Sequence, residues 1–92
     1  MKMPVRYNIV RQLMKNPEGL TPEAVYDAIR GVYPKERTCT PKEIDMQLMS
    51  MKGAGLTEVA EASGTDGRLV LTYRITDYGT ALAKQYIDKF LD

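Results

Sequence analysis

Histidine and tryptophan are absent from this 92-residue sequence, and cysteine and phenylalanine each occur once. Without histidine, the commonest general base and the commonest transition-metal ligand are missing. The lone cysteine, Cys39, excludes an internal disulfide and leaves zinc without a set of ligands. No serine or cysteine can be paired with a histidine for nucleophilic catalysis. Gly64-Thr65-Asp66-Gly67 lacks the Gly-Lys-Ser/Thr ending of a phosphate loop and reads as a turn. Glu43 and Asp45 fall at different helix azimuths and read as solvated carboxylates. The expectation is a protein that is not an enzyme and uses neither cofactor nor metal. No apolar run approaches the roughly 20 residues of a membrane span. The opening Met1-Lys2-Met3-Pro4-Val5-Arg6 has no signal-peptide stretch. A cytoplasmic location without a membrane partner is therefore expected.

What is present suits one globular domain over residues 1–92. Hydrophobic residues make up 43% and charged residues 27%, which argues against disorder. The net charge of +1 hides an asymmetry. Residues 1–42 hold eight Lys/Arg against four Asp/Glu, or +4, and residues 43–92 hold five against eight, or −3. A modest basic patch on the N-terminal half follows.

Periodicity divides the chain. Val5, Ile9 and Leu13 repeat every four residues from Pro4 onward, with Tyr7, Val10 and Met14 as an adjacent stripe. Asn16-Pro17-Glu18-Gly19 ends this helix, and Leu20 stands alone as a short extended position. Thr21-Pro22 caps a second helix with Val25, Ala28, Ile29 and Val32 as its stripe, ending at Gly31 and Tyr33-Pro34. Thr40-Pro41-Lys42-Glu43 is a T-x-x-E capping box opening a third helix, whose Ile44, Leu48 and Met51 share one face. Gly53-Ala54-Gly55 closes it. Leu56 to Ala62 reads as a strand, Ser63 to Gly67 as a turn, and Arg68 to Ile75 as a returning strand. Leu69, Leu71, Tyr73 and Ile75 point one way on that strand. Thr76 caps a last helix running from Asp77 to about Leu91.

This order resembles the winged helix-turn-helix domains of MarR-like and PadR-like regulators. Gly19-Leu20-Thr21-Pro22-Glu23 resembles their short strand and cap before the second helix. Thr40 to Lys52 sits in the recognition-helix slot, and Gly53-Ala54-Gly55-Leu56-Thr57 resembles the approach to the wing. Arg68 to Ile75 resembles the returning wing strand, and Ile75-Thr76-Asp77-Tyr78-Gly79 the opening of the final helix. The resemblance implies an α+β fold: a three-helix core, a two-stranded hairpin wing and a C-terminal helix. It further implies transcription regulation through double-stranded DNA, with the third helix in the major groove and the wing on the backbone.

At about 100° per residue, Lys42, Met46, Met49, Ser50 and Gly53 point outward from the third helix, while Gln47 lies nearer the buried side. Lys35, Arg37, Thr38, Thr40 and Lys42 are the expected phosphate contacts. Met46 and Ser50 are expected to touch the groove, and Arg68 to serve the wing. Against this, Glu58, Glu61 and Asp66 lie in the same hairpin, and Asp45 flanks the helix. Two alternatives stand beside the groove reading of Met46 and Met49. One is a third helix buried more widely. The other is an adaptable surface for a protein partner in a domain that does not bind DNA. In the resembled families the last helix often dimerises. That points to a homodimer through Tyr7, Val10 and Met14 of the first helix and Tyr86, Ile87, Phe90 and Leu91 of the last. Cys39, just before a helix N-terminus, reads as an incidental thiol rather than a redox sensor.

Overall fold

Three short helices precede a hairpin, and a fourth helix follows it. The computed structural model describes residues 3–65 and 67–86. The helices are α1 (Val5–Lys15), α2 (Pro22–Ile29), α3 (Pro41–Gly53) and α4 (Asp77–Tyr86), and the strands are β1 (Thr57–Thr65) and β2 (Arg68–Ile75). The expected continuation of α4 to Leu91 lies outside the described residues.

The caps act where the sequence places them. Thr21 Oγ1 accepts from the Ala24 N–H, Thr40 Oγ1 from the Glu43 N–H, and Thr76 Oγ1 from the Gly79 N–H. Each satisfies one of the four orphan donors at a helix start, typically worth about 1 kcal/mol. At the far end of α3, the Leu56 N–H donates to Met51 O (2.9 Å) and the Gly55 N–H to Lys52 O (3.0 Å). This is a Schellman closure, and Gly55 has the left-handed φ of +82° that it requires.

The core forms from one face of each helix. Ile9 and Leu13 of α1, Val25 and Ile29 of α2, and Ile44, Leu48 and Met51 of α3 are fully buried with Tyr73 of β2. Each such side chain contributes about 1.5–3 kcal/mol of transfer free energy. The stripe on α2 stops earlier than its spacing predicts. The helix ends at Ile29, and the tighter bonds Val32 N–H to Ile29 O and Tyr33 N–H to Arg30 O shift the phase of the chain. Val32 is exposed as a result, and Tyr33 takes the core position; Ala28, within the helix, is exposed as well. Its hydroxyl accepts from Asn8 Nδ2 and donates to Met3 O, tying the second connection to α1.

The hairpin is antiparallel, running from Thr57 opposite Ile75 to Thr65 opposite Arg68. Ser63, Gly64 and Thr65 therefore belong to β1, not to the turn, and only positions 66 and 67 connect the strands. Two residues are the preferred length for such a connection, and an Asp-Gly pair suits it. Register slips between Val59 and Glu61, making Ala60 a bulge that bends the strand. Leu20 adds a third extended segment. Its N–H donates to Tyr73 O (2.8 Å) and the Tyr73 N–H donates to Leu20 O (2.9 Å).

Leu56 joins α3, the hairpin and α4. Its carbonyl accepts the Thr76 N–H (3.0 Å), and the Thr76 hydroxyl donates to Gly55 O (2.7 Å). Gly79 packs so closely here that an added Cβ would lie 2.2 Å from Leu56 O. Backbone cannot yield as a flexible side chain can. Gly79→Ala is therefore expected to destabilise the fold by about 2–3 kcal/mol, measured as a lower urea midpoint with an unchanged m-value. Gly53→Ala meets nothing within 4 Å and is the control expected to leave the midpoint in place or raise it slightly.

Candidate nucleic-acid interface

The α2–α3 connection folds as successive turns, with the Glu36 N–H donating to Tyr33 O and the Cys39 N–H to Glu36 O. Tyr33 and Cys39 point inward, and the turns hold Lys35, Arg37 and Thr38 in solvent between them. Thr40 and Lys42 follow, also exposed, at the start of α3. The five expected phosphate contacts are thus all exposed, on either side of the buried Cys39, along the chain leading into the helix.

On α3 itself the outward face is the expected one. Met46 is 54% and Met49 55% exposed, and Ser50 is exposed beside them, so the wider burial considered for this helix is not what the fold adopts. Gln47 is half-buried, and its Oε1 accepts a hydrogen bond from the Arg6 guanidinium of α1.

The hairpin and α3 form the walls of an open cleft of about 390 Å³. Lys42, Asp45 and Met49 line it from α3, Thr21 and Glu23 from the start of α2, and Arg68, Leu69 and Tyr73 from β2. Lys42 and Arg68, 26 positions apart in sequence, are brought to the same cleft. Arg68 also lies 3.5 Å from a Glu23 carboxylate oxygen, with both side chains about three-quarters exposed. At that exposure the pair is screened and worth under about 1 kcal/mol, so Arg68 can exchange Glu23 for another anion. Elsewhere on the hairpin, Glu58 is paired with its cross-strand neighbour Arg74 at 2.6 Å.

Leu69 was missed as a surface residue. Its alternation places it with Leu71, Tyr73 and Ile75, yet it is 71% exposed. Its cross-strand partner is Gly64, which has no side chain to cover it. Only the strand's pairing register reveals this.

The expected dimer residues are partly brought together. Tyr7 and Val10 of α1 and Tyr86 of α4 line an apolar groove of about 240 Å³ with Leu56, Ile75 and Leu82. Met14 is half-buried on α1, and Tyr86 is 62% exposed. Ile87, Phe90 and Leu91 lie outside the described residues.

Two buried groups resist ionisation. Burial, and secondarily the charge of Glu36, pushes the Cys39 thiol above its ordinary 9.0, opposite to the direction a reactive thiolate needs. Burial and then Asp45 push the Tyr73 phenol above its ordinary 10.0. The Tyr73 hydroxyl is also buried without a hydrogen-bond partner among the described residues. Among those residues, no group of three or more His, Cys, Asp or Glu is placed to hold a metal ion, and no helix is long and apolar enough to cross a membrane.

No family model matches the chain, and no curated protein matches it. Among solved structures it is similar to a protein of Thermoplasma acidophilum provisionally named a transcriptional regulator. The match has a TM-score of 0.74 and 20% sequence identity, and covers 89% of this chain and 73% of that one. At this identity the likeness is one of fold: a small α+β domain with four helices and a two-stranded antiparallel sheet.

Both perturbed groups hold their protons more tightly in the folded chain than in the unfolded one. As pH rises past about 9, the unfolded chain therefore releases protons first and stability falls, with Cys39 followed by Tyr73. Tyr73→Phe removes one of these groups and an unpartnered hydroxyl whose burial costs about 1–3 kcal/mol. Urea midpoints should be equal to or above wild type near neutrality, and the advantage should widen above about pH 10. A larger alkaline loss in the variant would contradict this linkage.

Proposed function

We propose that residues 1–92 form one winged-helix domain of a cytoplasmic transcriptional regulator that binds duplex DNA with α3 and the hairpin. The observation that carries this reading is the cleft to which Lys42 and Arg68 converge, preceded along the chain by the exposed run Lys35-Glu36-Arg37-Thr38. Lys35, Arg37, Thr38, Thr40 and Lys42 would contact phosphates as α3 enters the major groove. Met46 and Ser50 would face the bases, and Arg68 would meet the backbone from the wing. The fold shared with the Thermoplasma protein supports the same direction.

Arg37→Ala combined with Lys42→Ala should weaken binding to mixed-sequence duplex. It should also reduce the slope of log K against log salt by about 1.8, or 0.9 for each phosphate that is no longer neutralised. Fluorescence anisotropy from about 50 to 200 mM salt measures both quantities. An unchanged slope would dismiss these two residues as phosphate ligands.

One observation favours a second reading. Met46, Met49 and Leu69 are large apolar side chains left more than half exposed, as on a surface that grips a protein. Such docking would persist as salt rises, whereas phosphate-driven binding collapses.

We also propose that the protein is a homodimer through α1 and α4, because Tyr7, Val10 and Tyr86 line one apolar groove. Met14 would extend that surface, as would Ile87, Phe90 and Leu91. Placing a carboxylate there in Tyr86→Glu should shift sedimentation velocity from dimer to monomer with helical circular dichroism retained. A wild-type protein that sediments as a monomer at about 100 μM would overturn the assignment.

A further inference from the structure

We propose, building on the DNA-binding reading above, that α3 recognises the C5-methyl groups of pyrimidines in the major groove, with Met46 and Met49 as the specificity-determining side chains. The major groove presents hydrogen-bonding groups at every base pair and one apolar feature, the C5-methyl of thymine or of a methylated cytosine. A helix selects among these by what it holds outward.

Here the outward set is unusual in what it can bond. Pro41, Lys42, Met46, Met49, Ser50, Lys52 and Gly53 are exposed on α3. The helix contains no arginine or asparagine, and its lysines, which can also pair with guanine, stand only near its two ends. Its one amide, Gln47, is half-buried with Oε1 held by the Arg6 guanidinium. Lys42 sits at the first turn, lining the cleft that Arg68 also lines. The middle of the helix therefore meets the groove with two flexible thioethers, 54% and 55% exposed. Leu69 of the hairpin, 71% exposed, shares the cleft with Met49.

A duplex is the occupant that the cations around the patch fit, with the carboxylates of Glu23 and Asp45 standing among them in the cleft. Lys35, Arg37 and Lys42 precede and flank the apolar patch, and Arg68 stands across the cleft. Cations at the rim and thioethers at the centre match phosphates at the groove edges and methyl groups at its floor. Methionine suits the task because its unbranched side chain adapts to whichever step carries the methyl.

Duplexes that differ in that methyl alone provide the test. Binding of the full chain is measured on alternating dA·dT and dA·dU duplexes, and on alternating dG·dC duplexes with and without 5-methylcytosine. Burying one methyl is worth about a fourfold change in affinity, so two contacts should make dA·dT and 5-methylated dG·dC each about fifteenfold tighter than their unmethylated counterparts. Met46→Ala with Met49→Ala should erase that ratio, with an unchanged far-UV circular dichroism spectrum showing that the variant folds. Equal affinity for dA·dT and dA·dU would overturn the proposal and leave DNA binding intact. A ratio that survives the double substitution would overturn the assignment to these methionines. No binding to any duplex at low salt would overturn both the proposal and the DNA reading beneath it.

Discussion

Two main-chain hydrogen bonds between Leu20 and Tyr73 hold the hairpin to the helices, and most of the architecture follows from them. A two-stranded hairpin alone in water is marginal. With Leu20 pairing at 2.8 and 2.9 Å, β2 is fixed against the connection that leads into α2. Tyr73 is thereby driven to full burial among α1, α2 and α3. From that anchor β2 projects outward past the start of α2, which is why Arg68 lies beside Glu23 and why a cleft opens between hairpin and α3. The arrangement leaves the Tyr73 hydroxyl without a hydrogen-bond partner among the described residues.

Much of this fold was legible because its boundaries are local. Thr21, Thr40 and Thr76 cap α2, α3 and α4 through side chains a few atoms long, and proline in the first turn of α2 and α3 leaves little freedom of register. The Gly53-Ala54-Gly55 ending and the Asp-Gly connection are local in the same sense. What stayed hidden depends on pairing across distance. Nothing in Ser63-Gly64-Thr65 shows that the strand continues through it, since those residue types are common in turns and only Leu69, Val70 and Arg68 opposite supply the ladder. The bulge at Ala60 and the inward turn of Tyr33 are likewise settled by partners far along the chain, Tyr73 with Thr72 in one case and Asn8 with Met3 in the other.

The candidate site divides along the same line. The outward face of α3 follows from helical periodicity, and Met46, Met49 and Ser50 emerge where it puts them. The meeting of Lys42 with Arg68 and the exposure of Leu69 need the hairpin's register, which periodicity does not carry. Electrostatics alone would describe this face poorly. Glu23 and Asp45 stand in the same cleft as the two cations, so its lining carries as many carboxylates as cations.

The junction at Leu56 has a mechanical consequence. Its peptide belongs at once to the end of α3, the base of the hairpin and the seat of α4, where Gly79 presses against its carbonyl. No slack chain separates these elements, so α4 and the hairpin behave as handle and blade of one tool. A nine-residue strand is roughly 30 Å long. A tilt of α4 by about 10° about that fulcrum would sweep the hairpin tip through roughly 5 Å, about the spacing between adjacent strands of a sheet. Whatever grips α4 therefore has leverage over where the hairpin tip stands.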